Sequence, residues 1–127
     1  MTDRIRVQSA SPFEEPIGFC RAIRVGNRIE VAGTAPVWPD GRCSPDPEVQ
    51  AAHCFEIALR ALEQAGGSAA DVVRTRMYLT SADDWQAVGR AHGHVFGQVR
   101  PVATMVVVAG LLDARWKVEI ELSAQLD

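Results

Sequence analysis

The sequence predicts an α+β fold: one mixed sheet of about six strands carrying two helices on one face. Three observations lead there. Segments near both ends alternate apolar and polar residues with the two-residue period of strands. Two central segments repeat apolar residues at three- and four-residue steps, as helices do. The resulting order is β-β-β-α-β-α-β-β, with no internal repeat and no break in composition, which predicts one domain spanning residues 1–127.

Residues 4–9 alternate weakly and suit an edge strand, and residues 11–18 (SPFEEPIG) read as a loop because of their two prolines. Residues 19–25 place Phe19, Arg21, Ile23 and Val25 on one side and Cys20, Ala22 and Arg24 on the other. Gly26-Asn27 is a tight-turn pair, so residues 28–35 return as the partner of a β-hairpin. Asp46 can cap a helix and Pro47 fits its first position. Val49, Ala52, Phe55, Leu59 and Leu62 mark its apolar face, and Gly66-Gly67 stops it. Residues 72–79 form a strand with Val73, Thr75, Met77 and Leu79 together. Ser81 opens a second helix with Asp83 and Asp84 in its first turn, where negative charge meets the positive end of the dipole. Trp85, Val88, His92, Val95 and Phe96 form its stripe. Gly89, Gly93 and Gly97 weaken the helix and predict a close approach to the sheet.

Residues 100–124 read RPVATMVVVAGLLDARWKVEIELSA. The apolar run 105–109 suits a strand buried on both faces, and 116–122 alternates as a half-buried strand. The connection between them predicts an antiparallel hairpin. Glu119 and Glu121 project from the same face of the second strand. Facing water, they are solubility charges; covered by another subunit, one becomes an acid, base or ligand contact with a shifted pKa.

With 47% hydrophobic and 23% charged residues, 127 residues can bury a core without metals or disulfides. The net charge of −3 gives no support to a nucleic-acid surface. Three cysteines without metal-ligand spacing suit reduced thiols in a cytoplasmic protein: Cys20 as a small buried residue, Cys43 in a loop where it could react. No stretch reads as a membrane span or a secretion signal. His92 falls on an apolar stripe as a core or interface residue, and His53 is expected to be exposed. Arg100 either pairs with a carboxylate or is a surface charge.

The stretches GFCRAIRVGNRIEVAGTAP, DVVRTRMYLT and 100–124 together resemble the reactive-intermediate deaminase (Rid) family, also called the YjgF or L-PSP endoribonuclease family. The resemblance runs along nearly the whole chain. It implies a chorismate mutase-like fold and a homotrimer with a small-molecule cleft between neighbouring subunits. It also implies hydrolysis of enamines or imines without metal or cofactor. On this resemblance Glu119 is the catalytic glutamate. Phe19 stands where active deaminases carry a tyrosine, and Gly33, Thr34, Val106 and Val107 line the cleft. The carboxylate-gripping arginine of the family falls on Ala103; Arg100 lies three residues upstream, and the asparagine of the second helix falls near Gly89. The resemblance therefore places the chain in a subgroup lacking that arginine, whose substrate is not a simple 2-imino acid. The other readings are a non-catalytic, metabolite-binding regulatory trimer and a ribonuclease, the last opposed by the acidic balance.

Overall fold

The strands are β1 (Arg4–Val7), β2 (Ala22–Val25), β3 (Arg28–Thr34), β4 (Val72–Leu79), β5 (Val102–Val107) and β6 (Val118–Gln125), and the helices are α1 (Glu14–Ile17), α2 (Pro47–Gln64) and α3 (Trp85–Phe96). They are drawn from a computed structural model that describes residues 3–127. The strands form one sheet in the order β1-β2-β3-β6-β4-β5. Neighbours are antiparallel except β4 and β5, which run parallel.

The expected hairpin is present over Ala22–Val25 and Arg28–Thr34, shorter than the expected 19–25 and 28–35, with Val25 opposite Arg28 and Gly26 at φ 61° in the turn. The expected C-terminal hairpin is not. Strand β6 lies between β3 and β4, while β5 pairs only with β4. The physical reason is the helix: α3 supplies the crossover that a parallel β4–β5 pair requires. The remaining connection, residues 108–117, is long enough to carry the chain past β4. Strand β5 is consequently an edge, not a strand buried on both faces. Val102, Val106 and Val107 are 57%, 42% and 56% exposed.

Helices α2 and α3 pack on each other over one sheet face. Asp46 caps α2 as expected, its carboxylate accepting from the Glu48 and Val49 amides. The buried stripe of α2 is Ala51, Cys54, Phe55, Ala58, Ala61 and Leu62, so Val49 and Ala52 lie outside it. Its small residues let the helix sit low on the sheet. Trp85 likewise leaves the stripe of α3 and is exposed. Ser81 caps a short 3-10 turn, Ala82–Asp84, that precedes α3. Only Gly89 of the three glycines faces the sheet, where a Cβ would lie 3.7 Å from the Met105 methyl; a side chain at Gly93 would meet open space.

Phe55 and Phe96 meet edge to face at 5.6 Å, over a core that includes Ile29, Leu62, Met77, Leu79, Ile120 and Leu122. His92 joins this cluster, its Nε2 2.8 Å from the Thr75 hydroxyl, and burial holds its pKa below the usual histidine range. His53 is not exposed as expected. Its ring stacks on Trp38 at 4.2 Å, and Nε2 lies 2.8 Å from the Val37 carbonyl. Cys20 is half-buried rather than buried.

One side chain ties the loops to this frame. Gln50 is fully buried and donates to the carbonyls of Ser44 (2.7 Å) and Arg115 (3.0 Å) while accepting from the Lys117 amide (2.8 Å). Two otherwise separate loops, before α2 and before β6, share one amide group. Such a site tolerates little change, because each lost partner leaves a buried polar group unpaired.

Candidate functional site

Alternation divides β6 between the two sheet faces. Val118, Ile120, Leu122 and Ala124 are buried under the helices. Glu119, Glu121 and Ser123 rise from the opposite face. The expected common projection of the two glutamates is therefore observed, on the face left open within one chain.

Glu119 stands opposite Tyr78 of β4 on one side and against Gly33 of β3 on the other. Strand β3 is irregular there: Val31 pairs with Leu122, but Thr34 pairs with Ile120. Three steps along β3 thus match two along β6, which is a bulge. A side chain at position 33 would collide with Glu119 Oε2, so glycine is what allows the carboxylate to lie on the strand. Burial pushes the Glu119 carboxyl above the usual range; Arg21 opposes this and Glu121 adds to it.

Arg21 occupies the ground beyond Gly33. It is 7% exposed, and its backbone joins Val7 and Ala32 through hydrogen bonds of 2.8 and 2.9 Å. Nη2 and Nε lie 3.3 and 3.4 Å from Glu14 Oε2. Nη1 donates to the Gly33 carbonyl (2.5 Å) and approaches the Thr34 hydroxyl (3.3 Å). The Phe19 ring packs 5.5 Å from the guanidinium carbon, within cation–π range. Glu14 is 3% exposed and accepts from both the amide and the hydroxyl of Ser9. Burial pushes its carboxyl up, but the Ser9 and Arg21 contacts outweigh that and hold it below the usual range.

Farther along the open face, Glu121 accepts from the Tyr78 hydroxyl (2.5 Å) and from Arg76 Nη1 (3.4 Å). The bond to Glu121 and burial together raise the Tyr78 pKa. Ser123 donates to Glu30 at 2.5 Å, and Glu30 pairs with Arg28 at 2.6 Å. These charges are paired; Glu119 differs in lying beside charges without joining an ion pair among the described residues.

The chain therefore brings together Glu119, Gly33, Thr34 and, through Arg21, Phe19. It does not bring the other expected residues to them. Val106 shares a register position with Tyr78, so it faces the same side as Glu119 but two strands away. Ala103 pairs with Thr75, whose hydroxyl meets His92, and so lies with Val107 on the helix side of the edge strand. Arg100 is exposed in the turn after α3, at φ 56°, its amide bonded to the Phe96 carbonyl at 2.8 Å. Sequence reasoning placed Arg21 on the side of Phe19 but gave it no role, and it read Glu14 as part of a loop. The sharp turn of α1 that brings these two together has no regular period to announce it.

Among the described residues no three His, Cys, Asp or Glu side chains converge as metal ligands. Cys43 does not have the environment of a reactive thiol, since burial pushes its pKa up.

A family model described as Endoribonuclease L-PSP matches residues 12–126. The chain belongs to this family, that of the YjgF and Rid proteins. A Streptomyces coelicolor relative described as an uncharacterized protein is 43% identical over 120 residues, covering 94% of this chain and 90% of that one. A RutC family protein of Pyrococcus abyssi is 34% identical over 100 residues, covering 76% and 79%. The crystal structure of a YjgF/YER057c/UK114 family member from Mycobacterium tuberculosis superposes with a TM-score of 0.91 at 40% identity, covering 98% of this chain and all (100%) of the other. A Pseudomonas aeruginosa protein of unknown function gives 0.87 at 28% identity, covering 100% and 95%. The mixed sheet with its helices on one face is thus the YjgF/L-PSP fold. Among the described residues of this Rid-family chain, no helix is long and apolar enough to cross a membrane.

Proposed function

We propose that this protein is a cytoplasmic homotrimer that binds a small organic metabolite in clefts between subunits and hydrolyses an enamine, imine or related group there without a cofactor. The observation that carries this reading is Glu119: a half-buried carboxyl with a raised pKa, on a sheet face that its own chain leaves open. A carboxylate of raised pKa is a better base near neutrality than an ordinary one. It takes a proton from water as the oxygen adds to the C=N carbon, and returns it to nitrogen. The carbinolamine then collapses to a carbonyl compound and ammonia.

Ala103 sets the substrate class. An arginine–carboxylate pair in a partly desolvated cleft contributes roughly 2–5 kcal/mol to binding. Ala103 faces away from Glu119 of its own chain, so it meets that carboxylate across the cleft from a neighbouring subunit, and its methyl group favours a substrate without a carboxylate there. Freshly generated iminopropionate, assayed with wild type, Ala103→Arg and Glu119→Gln, tests the reading. Turnover is expected to be low in wild type and higher with Ala103→Arg; turnover by wild type at deaminase rates would show that the arginine is dispensable. Native mass spectrometry is expected to find three chains. Lone chains only would end the proposal.

The absence of both the guanidinium at Ala103 and the phenol at Phe19 favours a second reading, a regulatory trimer that binds a metabolite unchanged. A ligand recovered intact after long incubation would support it over hydrolysis.

A further inference from the structure

Glu14 and Arg21 are more deeply buried than Glu119, and neither is part of the mechanism above. Burying such a pair is costly and is weak grounds for a purely stabilising role. Its placement is specific. The guanidinium has Glu14 on one edge and the Gly33 carbonyl on the other, and Gly33 is the residue on which the Glu119 carboxylate rests. Arg21 thus touches the support of Glu119 while remaining close enough to act on its charge.

We propose that Arg21, held by Glu14, is the positioning residue for Glu119: its bond to the Gly33 carbonyl fixes the β3 bulge beneath the carboxylate and places a cation beside it. Glu14 moderates that cation. Among the described residues, the titratable groups acting with Glu119 are Arg21 just before β2, Glu121 from the same strand, Tyr78 opposite on β4, and Cys54 of α2. Glu121 is engaged by Tyr78 and Arg76, and Cys54 is a buried neutral thiol. Arg21 is therefore the member of the set whose removal changes the charge beside Glu119 most directly. The inference concerns Glu119 whatever it acts on, so a failed iminopropionate assay leaves it standing.

The full-length protein, labelled with 13C at glutamate side chains, is titrated by NMR, with Glu119→Gln assigning the Glu119 signal. Arg21→Gln removes the cation, and the Glu119 midpoint is expected to rise. Glu14→Gln keeps the shape and leaves Arg21 uncompensated, and the midpoint is expected to fall. Opposite signs separate a charge-setting role from loosened packing, which would move both variants the same way. If Arg21→Gln does not fold, Glu14→Gln with Arg21→Lys gives the decision: a lower midpoint in the first and a near-native one in the second. Shifts of equal sign, or a Glu14→Gln midpoint that stays put or rises, would overturn the proposal.

Discussion

Glu14 and Glu119 are two carboxylates flanking one arginine, and they are driven in opposite directions. Glu14 is nearly inaccessible yet held below the usual range, because Ser9 and Arg21 satisfy its oxygens. Glu119 is more accessible yet pushed above it, because burial is only partly offset by the same guanidinium. Depth alone does not set acidity. What matters is whether hydrogen-bond donors arrive with the burial, and at Glu119 the neighbouring strand offers a bare glycine instead.

Removing the arginine that both carboxylates face should cost most. Arg21→Ala leaves Glu14 buried without its cation, and loss of one partner of a buried pair costs about 3–5 kcal/mol. Urea unfolding of the variant should show a loss of that order, comparable to the effect of Phe55→Ala in the core. A loss under about 1 kcal/mol, the usual size for a surface pair, would show that the contact is not a structural one.

The pH dependence of stability sharpens the contrast. Glu14 has a lowered folded pKa, so its contribution is present above the unfolded value and is lost as pH falls through the folded one. Glu14→Gln should flatten that acid limb. Glu119 has a raised folded pKa, so its ionisation opposes folding above that value and the penalty disappears as pH falls. Glu119→Gln should therefore raise Tm at neutral pH and lose its advantage under acid conditions. Equal Tm differences at both pH values would contradict this.

Smaller effects follow at two further positions, Gly33 and Ala103. Gly33→Ala must displace the Glu119 carboxylate, the flexible end of a side chain. Its expected signature is a shifted Glu119 titration with a modest change in stability. Ala103→Arg, on an exposed edge, should alter stability by no more than about 0.5 kcal/mol in thermal melts while changing ligand preference.

Much of this was legible in the chain itself, for local reasons. The alternation of 116–122 put Glu119 and Glu121 on one face, Gly26-Asn27 announced the hairpin, and Asp46-Pro47 the start of α2. What escaped was non-local. Nothing in the apolar run 105–109 distinguishes an interior strand from an edge awaiting cover, since both are rich in valine. Insertion of β6 between β3 and β4 depends on pairings between residues as distant as Ile29 and Ala124. Arg21 and Glu14 meet across an irregular turn, and Gln50 looks like any polar helix residue until its three partners are seen.

The parallel crossover through α3 has one more effect, on how the polypeptide behaves in a tube. It leaves the rim at β5 with unpaired backbone groups under a row of valines, a surface onto which any extended segment can add. Edge-to-edge association through that rim would limit solubility as concentration rises. A lysine in place of Val106 would be the natural guard for a version meant to stay alone in solution.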